Sequence, residues 1–135
     1  MNREPFKKEL IEKAKQMRKK AYCPYSSYRV GAAVLTSSGR IYTGCNVENA
    51  SYSVTICAER TAGCKAVSEG EREFEAVAIA VSGGSFGYPC GACRQFLNEF
   101  AVADMEVIVI NNKDEVNTVK LNDILPYGFK GGDML

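Results

Sequence analysis

The segment Glu75-Ala76-Val77-Ala78-Ile79-Ala80-Val81 is a short, nearly unbroken apolar run. A strand buried on both faces reads this way, and such strands belong to parallel sheets covered by helices. A second run of the same kind, Met105-Glu106-Val107-Ile108-Val109-Ile110, lies further on. Between the two, Gly83-Gly84-Ser85 reads as loop and residues 91–100 read as a helix. A strand–helix–strand crossover joining two such runs predicts an α/β fold, with helices on both faces of the sheet.

Upstream, Phe6, Leu10, Ile11, Ala14, Met17 and Ala21 recur at helical spacing with Lys and Glu between them. Pro5 suits the first turn, Arg18, Lys19 and Lys20 suit the negative end of the dipole, and Pro24 stops the helix. The lysines between these positions read as a solvated face. Residues 28–36 and 40–45 read as two strands, joined by a turn at Ser37-Ser38-Gly39 into a hairpin. Residues 46–55 are polar and irregular. A helix is expected over 57–69, stopped by Gly70, and its Ala58, Ala62, Gly63 and Ala66 allow close packing. Downstream, Asn111-Asn112-Lys113-Asp114 reads as a turn, 116–120 as a weaker strand and 122–125 as a short helix before Pro126. There is no repeat, low-complexity tract or internal linker, so a single domain over 1–135 is expected.

Composition excludes several classes. With 46% hydrophobic residues the chain can build a core without staples. Lys and Arg total 17 against 16 Asp and Glu, where a nucleic-acid binder carries a clear basic excess. The balance therefore argues against nucleic acid, or an anionic membrane, as the main partner. No apolar run approaches the ~18 residues of a membrane-spanning helix. The first eight residues have no apolar stretch behind their charges and do not read as a signal peptide, so a cytoplasmic location is expected. In a reducing compartment the six cysteines need not form disulfides, and clustered ones point to metal binding or catalysis.

The clearest cluster is Pro89-Cys90-Gly91-Ala92-Cys93-Arg94. Alone, its C-x-x-C is ambiguous between a redox pair and half of a zinc site. The redox reading leaves a second cluster, Cys57-Ala58-Glu59-Arg60, unexplained. Cys57 and Cys90 each open an expected helix, where backbone amides stabilise a thiolate. Two successive helices on one face of a sheet can present their N-termini side by side, bringing three thiolates around one ion. Structural zinc takes four protein ligands, whereas catalytic zinc takes three and leaves one position open. Bound zinc lowers the pKa of water from about 15.7 to about 7. Glu59 would then shuttle protons between that water and a substrate. Three thiolates on one dication leave a net negative charge, for which Arg60 and the two helix N-termini are the candidate counterweights. Cys23, Cys45 and Cys64 read as buried free thiols; a structural zinc that recruited one of them as a fourth ligand is the main alternative.

Cys-Ala-Glu-Arg at 57–60 followed by Pro-Cys-Gly-Ala-Cys-Arg-Gln at 89–95 resembles the zinc-dependent cytidine deaminases. Tyr25-Ser26-Ser27-Tyr28-Arg29-Val30-Gly31-Ala32-Ala33, Gly44-Cys45-Asn46-Val47-Glu48-Asn49-Ala50 and Leu125-Pro126 are similar to the short form of that family. The resemblance covers nearly the whole chain. It implies a three-layer α-β-α sandwich with a mixed five-stranded sheet, and a homotetramer with sites at subunit boundaries. It implies one Zn2+ per subunit on Cys57, Cys90 and Cys93, with Glu59 as proton shuttle. The implied reaction turns cytidine and deoxycytidine into uridine and deoxyuridine plus ammonia, a step of pyrimidine salvage. By the same resemblance Asn46 and Glu48 hold the ribose hydroxyls, the Ala58 amide contacts the pyrimidine carbonyl and Tyr28 packs on the base. Tyr52 and Phe129 are implied to approach a neighbouring subunit's site. Two positions depart from the family pattern: Tyr28 stands where Phe is usual, and Tyr88 where Ser usually precedes Pro-Cys.

Two other readings compete with nucleoside deamination. One is a relative acting on a modified cytosine nucleoside such as blasticidin S, which the ribose-like Asn46-Val47-Glu48 disfavours. The other is a non-catalytic zinc-stabilised domain, which has no need of Glu59. Editing of RNA or DNA is disfavoured by the lack of excess positive charge.

Overall fold

The computed structural model describes residues 1–134. Its elements run in the order α1 (Glu4–Arg18), β1 (Val30–Thr36), β2 (Ile41–Cys45), a 3-10 turn (Tyr52–Val54), α2 (Ala58–Ser68), β3 (Phe74–Val81), α3 (Gly91–Phe100), β4 (Ala101–Ile110), β5 (Val116–Lys120), α4 (Leu121–Ile124) and a terminal 3-10 turn (Gly131–Met134). The five strands form one mixed sheet in the order β2-β1-β3-β4-β5. Only β3 and β4 are paired in parallel; the other three pairings are antiparallel.

Alternation along the strands divides the core in two. Ala33, Leu35, Ala76, Ala78, Ala80, Ile108 and Ile110 face Leu10 and Ala14 of α1. Ala32, Val34, Val77, Ile79, Val81, Val107 and Val109 face α2 and Leu97 of α3. The result is the three-layer α-β-α sandwich. All eight residues of β3 are buried, as the opening apolar run requires of a central strand. Because β2 and β1, and then β1 and β3, pair antiparallel, β2 and β3 run the same way. Hence β2-α2-β3 and β3-α3-β4 are successive crossovers, and α2 and α3 enter from one edge of the sheet.

The lysines of α1 lie on its outer side, while Leu10 and Ala14 are fully buried. Strand β4 begins four residues earlier than the apolar run indicates, because α3 passes into it without a loop. Its pairing with β3 slips between Phe74 and Ala76, and Asp104 there adopts a φ of 60°, a region that Asp tolerates. That bulge interrupts the apolar pattern and hides the strand's first turn. Arg3 fastens the bulge: its guanidinium donates to the Asp104 and Ala103 carbonyls and pairs with buried Glu75 at 3.1 Å. Ser37 donates to the other oxygen of Glu75 at 2.6 Å.

One close approach places α2. A Cβ at Gly44 would collide with the Ala62 backbone nitrogen and lie 2.9 Å from the Ala58 carbonyl oxygen. Gly44 therefore lets the first turns of α2 rest directly on β2. We expect Gly44→Ala to lower stability by about 1–3 kcal/mol, the usual range for forcing an extra methyl into a packed contact. Urea unfolding measures this, and an unchanged midpoint would contradict the packing account.

Glu71, just beyond α2, ties the hairpin to the helix. It accepts hydrogen bonds from Ser38 Oγ at 2.7 Å and Tyr42 Oη at 3.1 Å, and the Ser38 hydroxyl above all holds its carboxyl below the usual range. A depressed carboxyl stabilises above its unfolded pKa, and that contribution disappears as pH falls through the folded value. The urea midpoint of Glu71→Gln is accordingly expected to trail the parent at pH 7 and to converge with it below about pH 4.

Candidate active site

The N-termini of α2 and α3 meet on the sheet edge where β3 and β4 end. Strand ends at such an edge are the usual place for a ligand site in α/β sheets. Cys57 is the N-cap of α2 and Cys90 the N-cap of α3, both with extended backbone. Neither side chain caps its helix, so both thiols are free to turn outward. Cys93, one turn into α3, is fully buried. The three sulfurs lie within 4.8 Å of one another, and Cys57 Sγ is 3.9 Å from Cys90 Sγ. No other group of three or more potential metal ligands occurs among the described residues.

This set fits zinc. Tetrahedral zinc with Zn–S bonds of about 2.3 Å sets neighbouring sulfurs about 3.8 Å apart, close to the separation of Cys57 and Cys90. The surrounding charge suits thiolates as well. Arg60 Nη2 donates to Cys57 Sγ at 3.6 Å and to the Thr55 carbonyl at 3.4 Å. Arg60 Nε is buried and has no hydrogen-bond partner among the described residues. A buried, unsatisfied cationic donor beside three sulfurs matches the excess negative charge that three thiolates and one dication carry. The Cys57 thiol is lowered to about 5, first because the Cys93 thiol donates to it and then because Arg60 does. Cys93 is pushed up, chiefly because it supplies the proton of that bond and is buried.

Glu59 is the charge that breaks the pattern. It sits in the first turn of α2 and is only 5% exposed. Burial pushes its carboxyl up to about 7, and the nearby Cys57 thiolate adds to the effect. A helix-capping acid is normally wet. This one lines a cavity of about 230 Å³, together with Cys57, Ala58 and Cys90. Ile79, Val81, Gly87 and Tyr88 contribute apolar and aromatic wall, while Tyr28 and Asn46 also border it. A protonatable group in an apolar cavity beside a three-thiolate cluster can exchange protons with a ligand held there.

The other candidates divide between this cavity and its surroundings. Tyr28 lies with its ring against Gly83 and Gly87, and burial, with the charge of Glu59, raises its hydroxyl. Asn46 is buried and bonded to the start of β1: its Oδ1 accepts from the Val30 amide at 3.0 Å and its Nδ2 donates to the Tyr28 carbonyl at 2.8 Å. Glu48 borders an adjoining hollow with Tyr25, Ser26, Tyr52 and Thr55. Its carboxylate accepts from the Tyr25 and Ser26 amides and from Ser26 Oγ, and the Ser26 hydroxyl chiefly lowers its pKa. A carboxylate has about four acceptor sites, so one direction remains for a ligand. Tyr52, 73% exposed, packs edge-on against Tyr25 in that second hollow. Phe129, 54% exposed, lies in the C-terminal segment, whose backbone carbonyl is held by Gln95 and Asn98. Neither Tyr52 nor Phe129 lines the Glu59 cavity within one chain.

Two expectations need correction or addition. Cys64 is exposed, not buried, because it lies on the outer side of α2, whereas Ala58, Ala62 and Ala66 take the inner side. Cys23 is buried and Cys45 partly so, and neither joins the sulfur cluster. Arg94 is a supporting residue that the motif alone does not reveal. Its guanidinium donates to the Pro89 carbonyl at 2.6 Å and to the Ile124 carbonyl at 2.8 Å, locking the approach to Cys90. Only its spacing, one helical turn after Cys90, hints at this.

Three sulfurs at two helix N-termini, with a buried carboxyl in an adjoining cavity, define a hydrolytic metal site on an α/β sandwich. Residues 5–110 match the family model described as the cytidine and deoxycytidylate deaminase zinc-binding region. The cytidine deaminase of Sporosarcina psychrophila is 46% identical over 125 residues, covering 93% of this chain and 92% of its own. That of Halalkalibacterium halodurans is 44% identical, covering 93% and 95%. The crystal structure of cytidine deaminase from Burkholderia pseudomallei superposes with a TM-score of 0.86 at 44% identity, covering 91% of this chain and 98% of its own. The chain belongs to the cytidine and deoxycytidylate deaminase family.

The zinc-binding region makes a direct test possible. Purified protein is expected to carry one zinc per chain, and Arg60→Ala to bind it about 10–100-fold more weakly, as for other groups that orient metal ligands. Competition with a chromogenic chelator reads both; undiminished affinity in the variant would remove Arg60 from this role.

Proposed function

We propose that this protein is a zinc-dependent cytidine deaminase, converting cytidine or deoxycytidine and water to the uracil nucleoside and ammonia. The observation that carries this reading is the placement of buried Glu59 beside the Cys57, Cys90 and Cys93 sulfurs, in a cavity of base-sized dimensions. A structural zinc site has no use for a carboxyl buried at that point.

In this reading Cys57, Cys90 and Cys93 hold the ion. Zinc at that position supplies a Lewis acid that makes water acidic enough to act as a nucleophile near neutral pH. Glu59 takes a proton from the attacking water and delivers it first to the ring nitrogen next to the reacting carbon. It then passes a proton to the departing amino group, so that ammonia leaves and the carbonyl of uracil remains. The apolar wall from Ile79 and Val81 keeps the carboxyl in a form able to give and take that proton. The Ala58 amide, at the start of α2, offers a donor to the pyrimidine carbonyl. The Tyr28 ring gives a stacking surface, worth roughly 1–3 kcal/mol per base in comparable contacts. Asn46 and Glu48 fix the ribose hydroxyls, and their bonds to the backbone of 25–30 hold them in place for it. A site built to pair hydroxyls rejects analogues lacking them strongly.

Tyr52, Phe129, Tyr25, Val54 and Tyr127 leave apolar surface exposed on one chain. A homotetramer of this single-domain chain covers such surface and brings Tyr52 and Phe129 to a neighbour's site. No helix among the described residues is long and apolar enough to cross a membrane. The six cysteines are all free thiols, which suits a reducing compartment and supports action in the cytoplasm, in pyrimidine salvage.

The test is an equal mixture of cytidine, deoxycytidine, cytosine and CMP, with products read by mass. Conversion of the two nucleosides alone is expected; conversion of cytosine or CMP would overturn the roles of Asn46 and Glu48. Glu59→Gln is expected to keep its zinc and lose turnover by at least about 10²–10⁴-fold, the range for removing a general acid–base group. Full activity in that variant would end the mechanism. Light scattering is expected to give four times the 14.8 kDa chain mass.

A further inference from the structure

Strand β5 carries a polar residue where the sheet calls for an apolar one. Asn117 pairs with Val109, and cross-strand partners share a face. Val109 and Val119 both belong to the core under α2 and α3. Asn117 therefore points to the same side, at the sheet edge where the site lies. Its Nδ2 donates to Tyr88 Oη at 2.6 Å. Tyr88 is the residue two before Cys90, and it lines the Glu59 cavity. Phe86 meets the Tyr88 ring edge-on at 6.3 Å, so the ring is fixed on two sides.

The rest of the β4–β5 hairpin holds the same segment. Asn111 Nδ2 donates to the Gly84 carbonyl at 3.0 Å, and Asn111 is buried. The Asn112 amide donates to the Gly83 carbonyl at 3.0 Å, and its Nδ2 to the Ser82 carbonyl at 3.2 Å. Four donors from one hairpin thus reach the loop from Ser82 to Tyr88. That loop has Gly83, Gly84 and Gly87, whose backbone freedom leaves it dependent on outside anchors.

We propose that Asn117 is a positioning residue of the deaminase site, acting through the Asn117 Nδ2–Tyr88 Oη hydrogen bond to fix the cavity wall and so set the size of pyrimidine the site admits. This rests on the deaminase reading. Asn117 touches neither the sulfurs nor Glu59, so its loss weakens binding of substrate and transition state alike. The effect falls on KM and on discrimination between bases, and not on kcat.

The experiment compares Asn117→Leu, Tyr88→Phe and the double variant, using cytidine and 5-methylcytidine, with zinc content measured in each. Each single variant is expected to raise KM for cytidine about fivefold, the scale of one neutral hydrogen bond, with kcat within about twofold of the parent. Preference for cytidine over 5-methylcytidine is expected to fall in both, and the double variant to be no worse than either single one, because one shared bond is lost. Additive effects, an unchanged preference, or a loss confined to kcat would overturn the proposal. NMR of tyrosine-labelled protein gives a readout free of turnover: the Tyr88 ring signals should shift and average in Asn117→Leu. Unmoved signals would also overturn it. A parent protein that makes no uridine would instead refute the deaminase reading itself.

Discussion

The approach of α2 to the sheet at Gly44 governs the rest of the molecule. With a hydrogen in place of a side chain, the first turns of α2 settle onto β2, and Cys57 and Glu59 arrive at fixed heights over the sheet edge. The second crossover delivers Cys90 and Cys93 to the same edge. A cluster of three sulfurs from two helices needs both helices to start at one level, and a sheet whose β2, β3 and β4 run in the same direction provides that level. The site is thus a by-product of crossover geometry, refined by a few polar anchors.

Those anchors divide the electrostatic work. The Cys93 thiol and Arg60 favour negative sulfur at Cys57, whereas burial disfavours negative oxygen at Glu59. Two acidic groups two residues apart are therefore driven in opposite directions, one toward the anion and the other toward the acid. Neighbouring groups with opposed ionisation can divide a reaction, one holding and the other moving a proton.

Much of this was legible in the chain. The runs at 75–81 and 105–110 stood for buried strands because a central strand has no wet face on which to place polar residues. The boundaries of α3 were readable because Cys90 and Gly91 mark its start and its apolar residues recur through Phe100. The opening turn of β4 was not, since a bulge at Asp104 erases the alternation on which strand reading depends. Cys64 was misplaced because a helix rich in small residues shows little contrast between its inner and outer sides. The convergence of the Cys57, Cys90 and Cys93 sulfurs beside Glu59 was legible in the motifs, through spacing and helix starts. Asn117 and Arg94 were not, because each works by reaching a distant loop, and only the folded sheet brings those partners together.

The packing of α1 has a bearing on how the chain is made. Leu10 and Ala14 find their partners on β1, on β3 and on Ile108 and Ile110 of β4. Arg3 closes on Glu75 and on carbonyls at 103 and 104. The apolar side of α1 is thus covered chiefly by β1, the next element along the chain, and then by β3, with β4 adding only its two isoleucines. Most of that cover is local in sequence and allows α1 to dock on the β1–β2 hairpin early, whereas the Arg3 contacts require β3 and β4 to be in place. Arg3, at the N-cap of α1, thus ties the helix to backbone about 100 residues further along the chain.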